Sequence, residues 1–257
     1  MSWLAPQWPA PASVHAFSTL RGGGVSRGVY AGLNLGDHVG DDATDVAANR
    51  AALRQAAELP SEPCWLRQVH GVRAVAAETW QPGVEADACY AATPGLVCAV
   101  LTADCLPVLL CSRDGSRVAA VHAGWRGLVD GVIERTLEAM TSAGGFDGNA
   151  NNSDVMAWLG PAIGPRSFEV GAEVRERFLD VNAEAQPLFA PGGQGHWLAD
   201  LYGLARLRLR AAGVTAVYGG GLCTLLDAER FYSYRRDGVT GRMVTMIWRE
   251  ACMPVGQ

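Results

Sequence analysis

Three residues far apart in the chain share one local design. His70, Cys105 and His122 each close a short apolar run and are followed at once by a turn: Trp65-Leu66-Arg67-Gln68-Val69-His70-Gly71, Ala99-Val100-Leu101-Thr102-Ala103-Asp104-Cys105 and Val118-Ala119-Ala120-Val121-His122-Ala123-Gly124. If the runs are neighbouring strands of matching direction, the three side chains gather along one rim of a sheet, where sites in layered α/β folds tend to sit. Two imidazoles and a thiolate form a borderline-soft donor set that suits zinc. Three protein ligands leave a fourth position for water or substrate, as catalytic zinc requires. The separations, 35 residues and then 17, match no compact zinc finger, so the argument rests on placement: of the five histidines, His15, His38 and His196 lack this setting. The same residues also fit a cysteine hydrolase, with Cys105 as nucleophile, a histidine as base and Asp104 orienting the pair.

The elements that must position these residues are legible in outline. A strand is predicted near Val14 to Leu20, then a Gly-rich turn, then a helix from about Asp42 to Glu58 that opens on Asp and Thr caps and stops before Pro60. Short β-like runs follow at Cys64 to Val69, Val72 to Ala77, Leu96 to Thr102, Pro107 to Cys111 and Arg117 to Val121. After a turn at Gly124-Trp125-Arg126-Gly127, Leu128, Val132, Ile133, Leu137 and Met140 recur at helical spacing. Gly144 to Asp154, rich in Gly and Asn, reads as an exposed loop. Strands are expected at Val155 to Leu159, Ala216 to Tyr218 and Met243 to Trp248, and helices at Glu169 to Val181 and Leu198 to Ala212. Strand clusters with intervening helices indicate α/β or α+β layering rather than regular βαβ alternation.

Composition narrows the function classes. A formal net charge of -5 argues against a broad nucleic-acid or anionic-membrane surface, and no apolar run approaches the ~20 residues of a membrane span. The N-terminus has no basic residue ahead of an apolar stretch, so the expected compartment is cytoplasmic. The seven cysteines form no CxxC pair and mostly lie inside apolar runs, which suits reduced core thiols. Multicopper oxidases hold their metals on clustered His-x-His motifs, and this chain has none.

Ordered motifs along nearly the entire chain resemble the YfiH-like family, also described as a laccase-domain or polyphenol oxidase family and as purine nucleoside phosphorylases. They include Arg21-Gly22-Gly23-Gly24-Val25-Ser26, His38-Val39-Gly40-Asp41-Asp42, Gln68-Val69-His70-Gly71, Leu101-Thr102-Ala103-Asp104-Cys105-Leu106-Pro107, His122-Ala123-Gly124-Trp125-Arg126-Gly127, Gly160-Pro161-Ala162-Ile163-Gly164-Pro165 and Arg230-Phe231-Tyr232-Ser233-Tyr234-Arg235-Arg236-Asp237. One departure is Leu20, which stands before Arg21 where the family usually reads Phe-Ser-Thr-Arg.

The resemblance implies one catalytic domain over residues 1–257, an α/β fold of layered mixed sheets with helices outside, and zinc on His70, Cys105 and His122. The implied activities are phosphorolysis of adenosine, inosine, guanosine and methylthioadenosine, with deamination of adenosine; the implied partners are purine nucleosides and phosphate. Zinc lowers the pKa of a bound water toward ~7, a route to attack at purine C6, and Asp104 is then a candidate acid/base or an orienter of the ligand beside it. Arg21 with Gly22, Gly23 and Gly24 is a candidate phosphate cradle, although the same glycines suit a plain tight turn. Gln68 is a second candidate substrate-binding residue, and Arg235, Arg236 and Arg242 form another basic cluster or a solvated loop. A metabolite-binding or cell-wall quality-control role without turnover is the non-enzymatic alternative.

Overall fold

The computed structural model describes residues 1–142 and 152–250. The predicted loop at 144–154 lies outside them except for a single 3-10 turn at Asn152–Asp154.

The centre is a hairpin of β6 (Leu106–Ser112) and β7 (Val118–Ala123), in which every residue is buried. Such runs look continuously apolar because both faces of the sheet are covered. Alternation reappears in what each side chain touches. Val108 and Leu110 join one core while Leu109 and Cys111 join another, and on β7 Ala119 and Val121 oppose Val118 and Ala120.

Around the hairpin a six-stranded mixed sheet forms in the order β12-β8-β6-β7-β4-β3, adding β3 (Ala74–Ala76), β4 (Ala88–Ala91), β8 (Val155–Leu159) and β12 (Ala216–Gly219). A second sheet is antiparallel throughout, in the order β1-β2-β13-β5, from β1 (Trp3–Leu4), β2 (Val14–Thr19), β5 (Cys98–Thr102) and β13 (Met243–Arg249). The two sheets pack face to face over Cys64, Cys89, Cys98, Val100, Met156, Trp158 and Ile247. Helix α1 (Ala43–Ala56), capped by the Asp42 side chain on the Thr44 and Asp45 N–H groups, contributes Leu53 to the outer core of the second sheet, beside Leu101 and Met246. Helices α2 (Trp125–Asp130), α3 (Val132–Ser142), α4 (Ala172–Val181) and α5 (Leu201–Ala211) cover the six-stranded sheet. The result is a layered α/β fold with helices outside.

Local departures from expectation have physical causes. Cys64 to Val69 is extended but joins neither sheet's ladder, making isolated bridges at Cys64 and Arg67 only. The helix expected through Leu128 to Met140 is broken at Gly131, which adopts φ +98 and caps α2. The supposed turn at residues 124–127 is the first turn of that helix. The stretch expected as helix from Glu169 begins instead as β9 (Glu169–Val170), and Trp197–Ala199 forms β11. With β10 (Phe189–Pro191) these make a small third sheet. β4 was not anticipated. Among the described residues no helix is long and apolar enough to cross a membrane.

Candidate metal centre

His122 is the penultimate residue of β7, and strand alternation turns it to the side of Val118 and Ala120, between the two sheets. Cys105 sits in the bend where the chain leaves β5 of one sheet and enters β6 of the other. His70 ends the extended 64–69 segment. The ligands therefore do not line one sheet's rim, as parallel neighbouring strands would have placed them; they meet where a crossing between sheets faces a strand interior and a loop.

Two backbone reversals make this possible. His70 (φ 59) and Asp104 (φ 95) are two of four non-glycine residues with positive φ among those described, a conformation that side chains adopt at a cost and that tends to cluster at functional sites. Each is held by a buried carboxylate. Asp87, fully buried just ahead of β4, accepts from the N–H groups of His70 (2.9 Å), Gly71 (2.7 Å) and Val69 (3.3 Å). Asp104 itself accepts from Thr224 Oγ1 (2.5 Å), Ser233 Oγ (3.0 Å) and the Arg235 N–H (2.7 Å), tying the bend to the distant 224–235 segment.

The ligating atoms of His70, Cys105 and His122 lie within 4.8 Å of one another, the one such group of three among the described residues. Bonds of about 2.0–2.3 Å place tetrahedral zinc ligands about 3.6 Å apart, so closing on an ion takes small rotations. Space is kept by Gly124, where a Cβ would stand 2.7 Å from His70 Nδ1 and 3.2 Å from Cys105 Sγ. Asp87 Oδ1 also lies 2.8 Å from His122 Nδ1. That contact places the ring proton on Nδ1 and leaves Nε2 as the free donor atom, the usual carboxylate–histidine–metal arrangement. The residues present fit a zinc ion.

Electrostatics agree with this reading. Burial, followed by the neighbouring His122, pushes the His70 imidazole below its ordinary pKa, toward the neutral form a ligand needs. Burial works against a charged His122, but Cys105 and Asp87 outweigh it and raise the group to about 9 in the metal-free protein. A raised histidine stabilises the metal-free fold fully below its ordinary value of 6.5 and loses that contribution as pH climbs through about 9. Zinc must displace the same proton, so its apparent affinity is expected to rise steadily from pH 6.5 to 9, by up to ~10-fold per unit for one released proton. Competition titration with a chromophoric chelator across that range checks this; a flat profile would contradict it.

Beside the ligands opens a cavity of about 480 Å³. Trp125, Phe168 and Ile163 line it, together with Arg126, Arg235 and Arg242. None of these three guanidiniums has a carboxylate partner in the ion pairs of the described residues. Arg236 is turned away, bonded to Asp237 and to the Thr224, Leu225 and Phe231 carbonyls. Gln68 lines the cavity while both ends of its amide are bonded to Leu101, donating to its carbonyl at 2.8 Å and accepting from its N–H at 2.7 Å. It substitutes for the ladder that the 64–69 segment lacks. Arg21 is not among the residues lining the cavity; it donates to the Ala228 carbonyl and stacks over Tyr232. Asp104 lines it with three donors already on its oxygens.

The carboxylate that orients His122 is thus Asp87, a residue the sequence reading passed over. Its signal was present, since a carboxylate enclosed in Ala86-Asp87-Ala88-Cys89 is a charge inside an apolar run, which is rarely buried without a partner.

Residues 15–250 match the family model described as multi-copper polyphenol oxidoreductase laccase. A protein of Pseudomonas aeruginosa named purine nucleoside phosphorylase is 51% identical over 248 residues, covering 96% of this chain and 98% of that one. The purine nucleoside phosphorylase YfiH of Escherichia coli is 52% identical over 247 residues, covering 95% and 98%. Among solved structures, a Neisseria meningitidis protein superposes with a TM-score of 0.91 at 47% identity, covering 98% of this chain and all of its own length. YlmD of Geobacillus stearothermophilus follows at 0.85 and 31%, covering 98% and 97%. With a family model matched over residues 15–250, relatives about half identical across nearly the whole of both chains and a shared fold, the chain belongs to the YfiH-like, laccase-domain family.

Proposed function

We propose that the chain is a zinc-dependent purine nucleoside phosphorylase, acting on adenosine, inosine, guanosine and methylthioadenosine, that also deaminates adenosine. The observation that carries this is a three-ligand site opening into a cavity whose guanidiniums make no ion pair with a carboxylate among the described residues. The names of the relatives point the same way. His70, Cys105 and His122 would hold the ion, which when bound supplies Lewis acidity and a lowered pKa for water. Trp125, Phe168 and Ile163 give the cavity apolar and aromatic lining suited to a purine ring, with the Arg126 and Arg235 guanidiniums lying over the first two rings. The arginines supply positive charge for phosphate and for the developing charge of phosphorolysis. Asp104 and Gln68 act as positioning residues through the backbone they hold. Six free cysteines among the described residues suit a reducing compartment, the cytoplasm.

The test is elemental analysis of protein purified without added metal, joined to product analysis on adenosine. We expect about one zinc per chain, adenine and ribose 1-phosphate only when phosphate is present, inosine without it, and loss of both activities on chelation. One arrangement favours a second reading. Cys105, His122 and Asp87 also line up as thiol, imidazole and carboxylate, the order of a cysteine hydrolase. Turnover that survived complete chelation but not thiol alkylation would establish that reading instead.

A further inference from the structure

The cavity's three guanidiniums are not equivalent. Arg126 and Arg235 are exposed, whereas Arg242 is partly buried and built into its place. Its backbone N–H donates to Asn34 Oδ1 at 2.8 Å. Its stem lies against Gly36, where a Cβ would come within 2.8 Å of Arg242 Cγ, and its guanidinium carbon stands 6.0 Å from the Tyr234 ring centroid. Asn34 is itself pinned between Gly36 and Asp41, so the loop that receives the arginine is fixed. The hydrogen bonds recorded for the Arg242 guanidinium are both from Nη1, to the Thr240 and Gly241 carbonyls. Nη2 and Nε remain for a ligand. His38, carried by the same loop, lines the same cavity. Burial and the nearby Arg242 hold it below the ordinary histidine pKa, and its Nδ1 lies 3.5 Å from Asp37 Oδ1; an anion seated beside it favours the doubly protonated ring, which has one N–H for Asp37 and one for the ligand.

A planar guanidinium with one free donor edge, Nε and Nη2, beside an imidazole and partly withdrawn from water, recognises a tetrahedral oxyanion in bidentate fashion. Partial burial of a cation that makes no ion pair is costly, more than Cys105 and Asp104 nearby make up, and an anionic ligand offsets that cost. The glycine turn after Arg21 has none of these attributes: Arg21 bonds away from the cavity, at the Ala228 carbonyl.

From these observations we infer that Arg242 and His38 form the inorganic phosphate seat of the cavity, in place of Arg21 and the glycines that follow it. The seat rests on the phosphorylase reading, because that reaction needs a phosphate held beside the sugar. It is tested without turnover. Inorganic phosphate is titrated calorimetrically into the protein as purified, with zinc content and melting temperature measured on each sample. Wild type is expected to bind phosphate, Arg242→Gln to weaken binding by about tenfold to a hundredfold, the range for loss of a charged hydrogen-bonding pair, and His38→Ala to weaken it by a smaller factor. Arg242→Lys keeps the charge and loses the planar fork, so it should fall between wild type and Arg242→Gln; it carries the test if the glutamine variant melts early or loses zinc.

Unchanged phosphate affinity in well-folded Arg242→Gln, or wild-type affinity in Arg242→Lys where the glutamine variant does not fold, overturns the assignment. So does a wild-type protein that does not bind phosphate. Failure of the phosphorylase reading looks different: phosphate binds and depends on Arg242, yet no nucleoside is cleaved.

Discussion

Cys105→Ala is expected to leave a folded protein that retains almost no zinc and has lost phosphorolysis and deamination together, by about 10³-fold or more in kcat/KM. The thiol is one of three ligands, so its removal leaves two imidazoles, too few for the three protein ligands of a catalytic site. Its side chain lies at the cavity wall, outside the described hydrophobic cores, so no core packing is lost; the metal-free variant should melt modestly below metal-free wild type near neutral pH, because Cys105 no longer helps to hold His122 protonated. Added zinc should then protect wild type alone, because stabilisation by a ligand requires binding to the native state. Elemental analysis, thermal melts with and without zinc, and product assays are read together. A variant that stayed metal-free yet fully active would show that the ligand set is not the seat of the chemistry.

Asp87→Asn should produce the next largest effect, and of a different kind. The carboxylate accepts from three backbone N–H groups around His70 and contacts His122 Nδ1. An asparagine must present its NH₂ to some of these partners. If it faces His122, the imidazole proton moves to Nε2, the atom needed for coordination. If it faces Gly71, donor meets donor and the reversal at His70 loosens. Zinc affinity is expected to fall about 10- to 100-fold, the usual consequence of losing such an outer partner. The fold should lose about 1–3 kcal/mol for a buried donor left unmet. Chelator competition reads the first and denaturant unfolding of the metal-free protein reads the second. Wild-type zinc affinity in the variant would reduce Asp87 to a turn-former with no bearing on the metal.

What the sequence disclosed and what it hid divide along physical lines. His70, Cys105 and His122 were legible because each interrupts an apolar run with a side chain that ligates metals. The layered α/β class was legible from runs such as Leu106–Ser112 and Val118–Ala123, whose apolar content demands cover on both faces. The geometry joining them was not. Whether Cys64 to Val69 becomes a ladder strand depends on a partner far along the chain, and its place beside β5 is secured by the Gln68 side chain instead. The single rim expected from three similar motifs failed because β5 and β7 belong to different sheets. The helix through Leu128 to Met140 kept its apolar spacing across Gly131, and periodicity cannot register a break that preserves the phase. Asp87 and Arg242 act through burial and through missing partners, which exist only once the chain is folded.

The strand order carries a consequence for biosynthesis. β13, made from residues 243–249, lies between β2 and β5, and Asp104 takes its donors from residues 224, 233 and 235. A nascent polypeptide that has cleared the ribosome through Gly124 already carries all three candidate ligands, yet the inner strand of one sheet, two strands of the other and the anchor of the Cys105 bend are still to be translated. On the proposed reading, metal capture would be an event of the finished chain, and a message cut short before the last strand is expected to yield a product with all three candidate ligands but without the strand and anchor that bring them together.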